Sequence, residues 1–125
     1  MHKFKELRIW QEAMALAKMI YTVTANFPTG EKYGLISQLN RAAVSVPSNI
    51  AEGAGRESNR EFLHFLNIAL GSSFEVETQV LLAHSFGFIA DDNFPALAEQ
   101  IDKTQRMINS FRSSITKKLQ SKVIE

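Results

Sequence analysis

Apolar residues recur at intervals of three and four along four separate segments, and this spacing constrains the fold more than any other feature. It gives each segment one apolar stripe when the segment is helical. The segments cover residues 7–26, 31–53, 59–86 and 94–119. Four helices joined by short turns predict an all-α fold, an antiparallel up-and-down four-helix bundle in which residues 1–125 form a single domain.

Three local signals refine the predicted helices. Pro47 lies inside the second segment, where proline removes a backbone hydrogen bond and clashes with the preceding turn, so we expect that helix to be kinked or broken near Pro47. Thr29 is a candidate N-cap for the same helix. Ser58 and Glu61 form a capping-box pattern, which predicts a sharp start to the third helix.

The sequence argues against an enzyme. It has no cysteine, which removes disulfides, zinc–cysteine sites and thiol catalysis, and it contains neither a nucleophile-elbow nor a phosphate-loop motif. His64 and His84 on one helix would lie about 30 Å apart, too far to share a metal ion. Glu61 and His64 match the Glu-x-x-His element of di-iron bundles, but that element occurs once. We expect no catalytic, cofactor-binding or metal-ligating residue and no small-molecule substrate.

We expect no membrane or export signal in this sequence. Its start is charged throughout, and no apolar run approaches the roughly 18 residues of a membrane helix. We therefore expect a cytoplasmic protein that does not associate with membranes.

One face of the second helix is polar, and we call this face the polar seam. It consists of Gln38, Arg41, Ser45, Asn49, Glu52 and Arg56. One interpretation is a solvated face, stabilised by local side-chain pairs that each contribute about 0.2–0.5 kcal/mol. The alternative is that this face packs against another helix or subunit. The composition favours the alternative, because solvated faces usually carry lysine and glutamate, whereas this face carries amides and arginines.

The apolar pattern of the third helix predicts that the chain associates with another copy of itself. Its aromatic and aliphatic residues cover more of the helix circumference than one small bundle needs, and Gly71 within it suggests the close approach of another helix. We therefore expect a second copy of the chain to bury part of this helix.

Charge is segregated along the chain although the formal net charge is only +1. Residues 61–102 contain seven acidic residues and no lysine or arginine, whereas the segments before and after carry net charges of +3 and +5. Four basic residues of the last helix are candidate nucleic-acid contacts: Lys103, Arg106, Lys117 and Lys118. A plain solubilising face is the alternative interpretation.

Several motifs carry a family resemblance. They are Leu7-x-x-Trp10-Gln11, Phe27-Pro28, Gln38-x-x-Arg41-Ala42, Asn49-Ile50-Ala51-Glu52-Gly53, Glu61-Phe62, Ile68-Ala69-x-Gly71-Ser72 and Glu75. In these motifs the chain resembles the small four-helix bundle proteins encoded in intervening sequences of bacterial 23S ribosomal RNA genes. The resemblance implies a homopentamer and adds Glu75 to the candidate interface residues of the polar seam.

A related branch of that family, the accessory variability proteins of diversity-generating retroelements, is strongly basic and associates with reverse transcriptase and nucleic acid. This chain is nearly neutral, so we carry over the assembly and not the activity. We expect a non-enzymatic, homo-oligomeric helical scaffold or adaptor that binds a protein or RNA partner. The alternative is a protein that binds RNA or DNA directly. A metal or enzyme site centred on Glu52, Glu61, His64 or Glu75 is the least supported interpretation.

Overall fold

Four α-helices and two short 3₁₀ turns account for the structure, a computed structural model that describes residues 1–124, with side chains as far as Ser121. The helices are α1 (Arg8–Thr24), α2 (Leu35–Ala54), α3 (Asn59–Ser85) and α4 (Phe94–Ile124). The 3₁₀ turns are Phe4–Glu6 and Thr29–Glu31. No residue of the described range lies in a strand, so the predicted all-α four-helix bundle is confirmed.

The helices are arranged in chain order around the bundle. Helix α1 packs against α2 and α4, and α3 packs against the same two helices from the other side. Among the described residues the backbones of α1 and α3 do not approach each other closely, and neither do those of α2 and α4. The pairs α1 with α3 and α2 with α4 therefore lie on the diagonals of an up-and-down bundle.

The interior holds two clusters of buried apolar side chains that follow one another along the bundle axis. One surrounds Leu16, Leu39 and Val76, and the other surrounds Phe62 and Ile108. Both clusters draw residues from all four helices. Since full burial of a large apolar side chain contributes about 1.5–3 kcal/mol, these clusters hold the helices in their places.

Helix α2 differs from the sequence expectation at Pro47. It runs from Leu35 to Ala54 without interruption, so it is not broken into two helices. One proline removes only one of the helix's hydrogen bonds, and Val46 and Ile50 beside it are fully buried in the core. A kink at Pro47 stays a prediction.

The helix starts show which capping signals operate. Thr29 as the N-cap of α2 is wrong, because it lies in a separate 3₁₀ turn and Gly34 precedes the first helical residue, Leu35. The capping box at α3 is confirmed: the Ser58 Oγ accepts a hydrogen bond from the Glu61 N–H at 3.1 Å and donates to the Glu61 Oε2 at 3.3 Å.

Candidate functional site

The middle of the polar seam is bonded to the neighbouring helix. The Ser45 hydroxyl lies 2.8 Å from the Ser72 hydroxyl of α3. The Asn49 side-chain amide donates to the Ser45 Oγ at 2.9 Å and to the Ser45 carbonyl oxygen at 2.8 Å. In this part the seam faces another helix of the same chain, and its hydroxyl and amide groups satisfy one another.

A glycine permits this close approach of α2 and α3. Gly53 is buried, and a Cβ added to it would lie 2.7 Å from the Phe65 Cβ and 2.9 Å from the Phe62 ring. Real side chains do not approach so closely, so the two helices can lie at this distance only with glycine at this position.

The C-terminal end of the seam is solvated. The Arg56 guanidinium forms an ion pair of 3.0 Å with the Glu52 carboxylate one turn earlier, and both side chains are exposed. The same guanidinium lies 4.9 Å from the centre of the Phe65 ring. Exposed pairs of this kind contribute about 0.2–1 kcal/mol, so these two seam residues stabilise the surface locally.

Between α2 and α3 the seam opens into a pocket of about 360 Å³, which we call the polar cleft. Its walls are Gln38, Arg41, Ala42, Ser45, Ser72, Glu75 and Gln79. The structure thus brings together four of the seven predicted interface residues, from two helices. Asn49, Glu52 and Arg56 lie outside it.

Several groups of the polar cleft have no partner within the described range. The Gln79 Oε1 is buried and accepts no hydrogen bond, a state that costs about 1–3 kcal/mol. The Arg41 guanidinium and the Glu75 carboxylate are exposed, and among the described side chains neither forms an ion pair. The cleft therefore offers the Arg41 guanidinium and the Glu75 carboxylate to a polar group from outside, whereas the Gln79 oxygen is buried.

Sequence reasoning missed Gln79. It lies on α3 one turn after Glu75 and two turns after Ser72, so all three share a helix face. A search of α3 for polar residues at helical spacing would have found it, whereas the seam was followed on α2 alone.

The predicted basic face of α4 is partly neutralised. The Lys103 ammonium forms a 3.0 Å ion pair with Glu12 of α1, and the Arg106 guanidinium lies 2.7 Å from Asp102 one turn before it. Hydrogen bonds from Lys103 and then Gln100 lower the pKa of the Glu12 carboxyl. Of the four predicted contacts, Lys117 and Lys118 are exposed and form no ion pair with another described side chain.

The outer face of α3 exposes large apolar side chains. Ile68, Phe74, Leu81 and Leu82 of α3, and Phe86 directly after its end, are each between 39 % and 61 % exposed. A second apolar surface is the α1/α2 groove, a depression of about 460 Å³. It is lined by Trp10, Met14, Ala17, Lys18, Tyr21, Val44, Pro47, Ser48 and Ala51.

The histidines have local roles. The His84 ring stacks on Phe94 with centroids 4.0 Å apart, and its Nε2 lies 2.8 Å from the Asp91 carboxylate. His64 is exposed.

Within residues described by the structure no three metal-ligating side chains form a cluster. In the same range, none of the helices combines the length and the apolar character needed to span a membrane.

Comparison with known proteins identifies the family. The family model described as 23S rRNA-intervening sequence protein matches residues 5–110. A crystal structure of a protein of unknown function from Bacteroides thetaiotaomicron, assigned to the S23 ribosomal protein family, superposes with a TM-score of 0.77. The two sequences are 20% identical, over 84% of this chain and 95% of the other, so this likeness shows the fold. No curated protein matches the chain. Because the family model spans most of its length, the chain belongs to the 23S rRNA-intervening sequence protein family.

Proposed function

We propose that the protein is a non-enzymatic, homo-oligomeric helical scaffold of the cytoplasm. The observation that carries this proposal is the exposure of large apolar side chains on two surfaces, the outer face of α3 and the α1/α2 groove, around a well-packed interior. Contiguous apolar surfaces on a folded domain mark interaction sites, because leaving them in water forgoes the free energy of burial. The family resemblance, which implies five copies, agrees with such an assembly.

The polar cleft is the surface through which the scaffold binds its partner. It holds the Arg41 guanidinium and the Glu75 carboxylate, both exposed and neither in an ion pair with another described side chain. An assembly repeats the cleft once per subunit. Repetition raises the avidity for a partner with several copies of one motif, even where each contact is weak.

Affinity capture from the native cell tests the binding role. The tagged wild-type protein and an Arg41→Ala variant are compared, with Arg56→Ala as the matched control because Arg56 lies outside the cleft. We expect a partner that the wild type and the control retain and the Arg41→Ala variant loses. Equal recovery with all three proteins would contradict the role of the cleft.

Direct nucleic-acid binding is the second candidate, and the exposed pair Lys117 and Lys118 favours it. Each phosphate neutralised contributes about −0.9 to the slope of log K against log salt for duplex DNA. Two lysines per subunit therefore predict a slope near −2 per subunit. Fluorescence anisotropy with labelled RNA and DNA over a salt series measures it, and a Lys117→Ala, Lys118→Ala variant should abolish the slope. Absence of salt-sensitive binding would exclude this candidate.

A further inference from the structure

We propose that the polar cleft binds a free α-amino acid with a polar side chain, whose carboxylate contacts Arg41 and whose ammonium group contacts Glu75. This inference rests on the proposed role of the cleft in binding, and it names the chemical class of the ligand. The ligand is held and not converted, so the inference adds a binding site to the scaffold and no reaction.

The two charged residues lie at the same level of the cleft, on opposite walls. The contact of 2.8 Å between the Ser45 and Ser72 hydroxyls closes one end of the cleft. Arg41 lies four residues before Ser45 on α2, and Glu75 lies three residues after Ser72 on α3. Because α2 and α3 are antiparallel, both charges are displaced in the same direction, by about 4.5–6 Å along the helix axes.

The size of the cleft suits a small ligand. Gln38 and Gln79 lie at its other end, each seven residues from the serine of its own helix, which corresponds to about 10 Å. The volume of about 360 Å³ falls within the range of small-molecule sites, about 300–1,000 Å³. An amino acid bound between the two charges can extend its side chain toward the exposed Gln38 amide.

The charges of the cleft select a ligand that carries both signs. Arg41 and Glu75 are the charged residues among the described side chains that line it, and neither forms an ion pair with another described side chain. Both are exposed, so a ligand can reach them from solution. Glu75 would repel a simple anion and Arg41 a simple cation. A zwitterion is attracted by both walls.

The geometry of the two charged groups matches the two ends of an amino acid. A guanidinium presents a planar fork of N–H donors that fits a carboxylate, and a carboxylate accepts hydrogen bonds from an ammonium group. The described lining residues include no aromatic side chain on which a nucleobase could stack, and Glu75 would repel phosphate groups. The cleft therefore favours an amino acid over a nucleotide.

NMR titration of the ¹⁵N-labelled protein tests the inference, with L-glutamine as the probe. Two analogues each lack one charge: N-acetyl-L-glutamine has no ammonium group, and L-glutamine α-amide has no carboxylate. We expect L-glutamine to shift the backbone amide signals of residues 38–45 and 72–79 saturably. Each analogue should bind about 10-fold more weakly or worse, because one charge-assisted contact is lost.

Three variants assign each end of the ligand to its wall. Arg41→Gln should bind L-glutamine and its α-amide with similar affinity, because the contact to the carboxylate is gone. Glu75→Gln should likewise bind L-glutamine and N-acetyl-L-glutamine with similar affinity. Arg56→Gln is the matched control, since Arg56 is an exposed arginine of the same polar seam outside the cleft, and it should bind as the wild type does. Circular dichroism verifies that the variants are folded.

Two outcomes would overturn the inference: L-glutamine produces no saturable shift, or the wild type binds all three compounds equally well. The proposed partner binding would stand in either case if the Arg41→Ala protein loses its captured partner. Saturable binding of L-glutamine together with equal capture by all proteins would instead contradict the partner role of the cleft and support the amino-acid site.

Discussion

Replacement of Gly53 by alanine tests the close approach of α2 and α3. The added methyl group would lie 2.7 Å from the Phe65 Cβ, which is fixed to the α3 backbone and cannot move without the helix. Overpacking of this kind costs about 1–3 kcal/mol, and the rigid neighbour places the cost near 3. The higher helix propensity of alanine offsets about 1 kcal/mol. The expected net loss of unfolding free energy is about 2 kcal/mol.

Urea unfolding followed by circular dichroism measures this loss, at one low protein concentration for all variants. In a thermal scan the loss corresponds to a melting temperature about 6–8 °C lower. Gly71→Ala is the matched control, because Gly71 is likewise a glycine inside a helix, α3, but has open space around it, and the change should raise the unfolding free energy by about 0.5–1 kcal/mol. A Gly53→Ala protein as stable as the wild type would refute the reasoning.

Three further changes probe the core, the cap and the ion pair. Phe62→Ala removes a ring that is 1% exposed and lies 5.4 Å from the Phe111 ring, and it should lower the unfolding free energy by about 3–5 kcal/mol in urea titrations. Ser58→Ala deletes the N-cap acceptor of α3 and should cost about 1 kcal/mol, measured in the same way. The Glu12 pKa is lowered in the folded chain, so the ionised carboxylate stabilises the fold above the unfolded pKa of about 4.3, and this stabilisation is lost as the pH falls through the folded value. Unfolding measured from neutral to acidic pH should therefore show a shallower decline in Glu12→Gln than in the wild type, and equal declines would contradict the role of its pair with Lys103.

The helices could be predicted from the sequence because the apolar spacing is a local property of each segment. The capping box at Ser58 is local as well, and it operates as predicted. The start of α2 was not predictable in this way, because Thr29 and Gly34 both precede the apolar stripe and the 3₁₀ turn between them displaces the helix to Leu35. At Pro47 the buried neighbours maintain a helix that the local signal would interrupt.

The candidate site depends on contacts between helices, which sequence spacing does not reveal. The partner of Lys103 is Glu12, on a different helix and far away in the chain, so sequence spacing does not predict their ion pair. The polar cleft likewise forms only where α3 brings Glu75 and Gln79 beside Arg41. The sequence could indicate a polar face on α2 and one on α3, but not that the two faces lie side by side.

The mass of the protein in solution tests the central claim most directly. Sedimentation equilibrium over a wide concentration range should show one discrete species whose mass is a multiple of the 14.1 kDa chain, with five copies as the family resemblance implies. A species of 14.1 kDa that persists at high concentration would contradict the account, because the exposed surfaces of α3 and the α1/α2 groove would then remain in water.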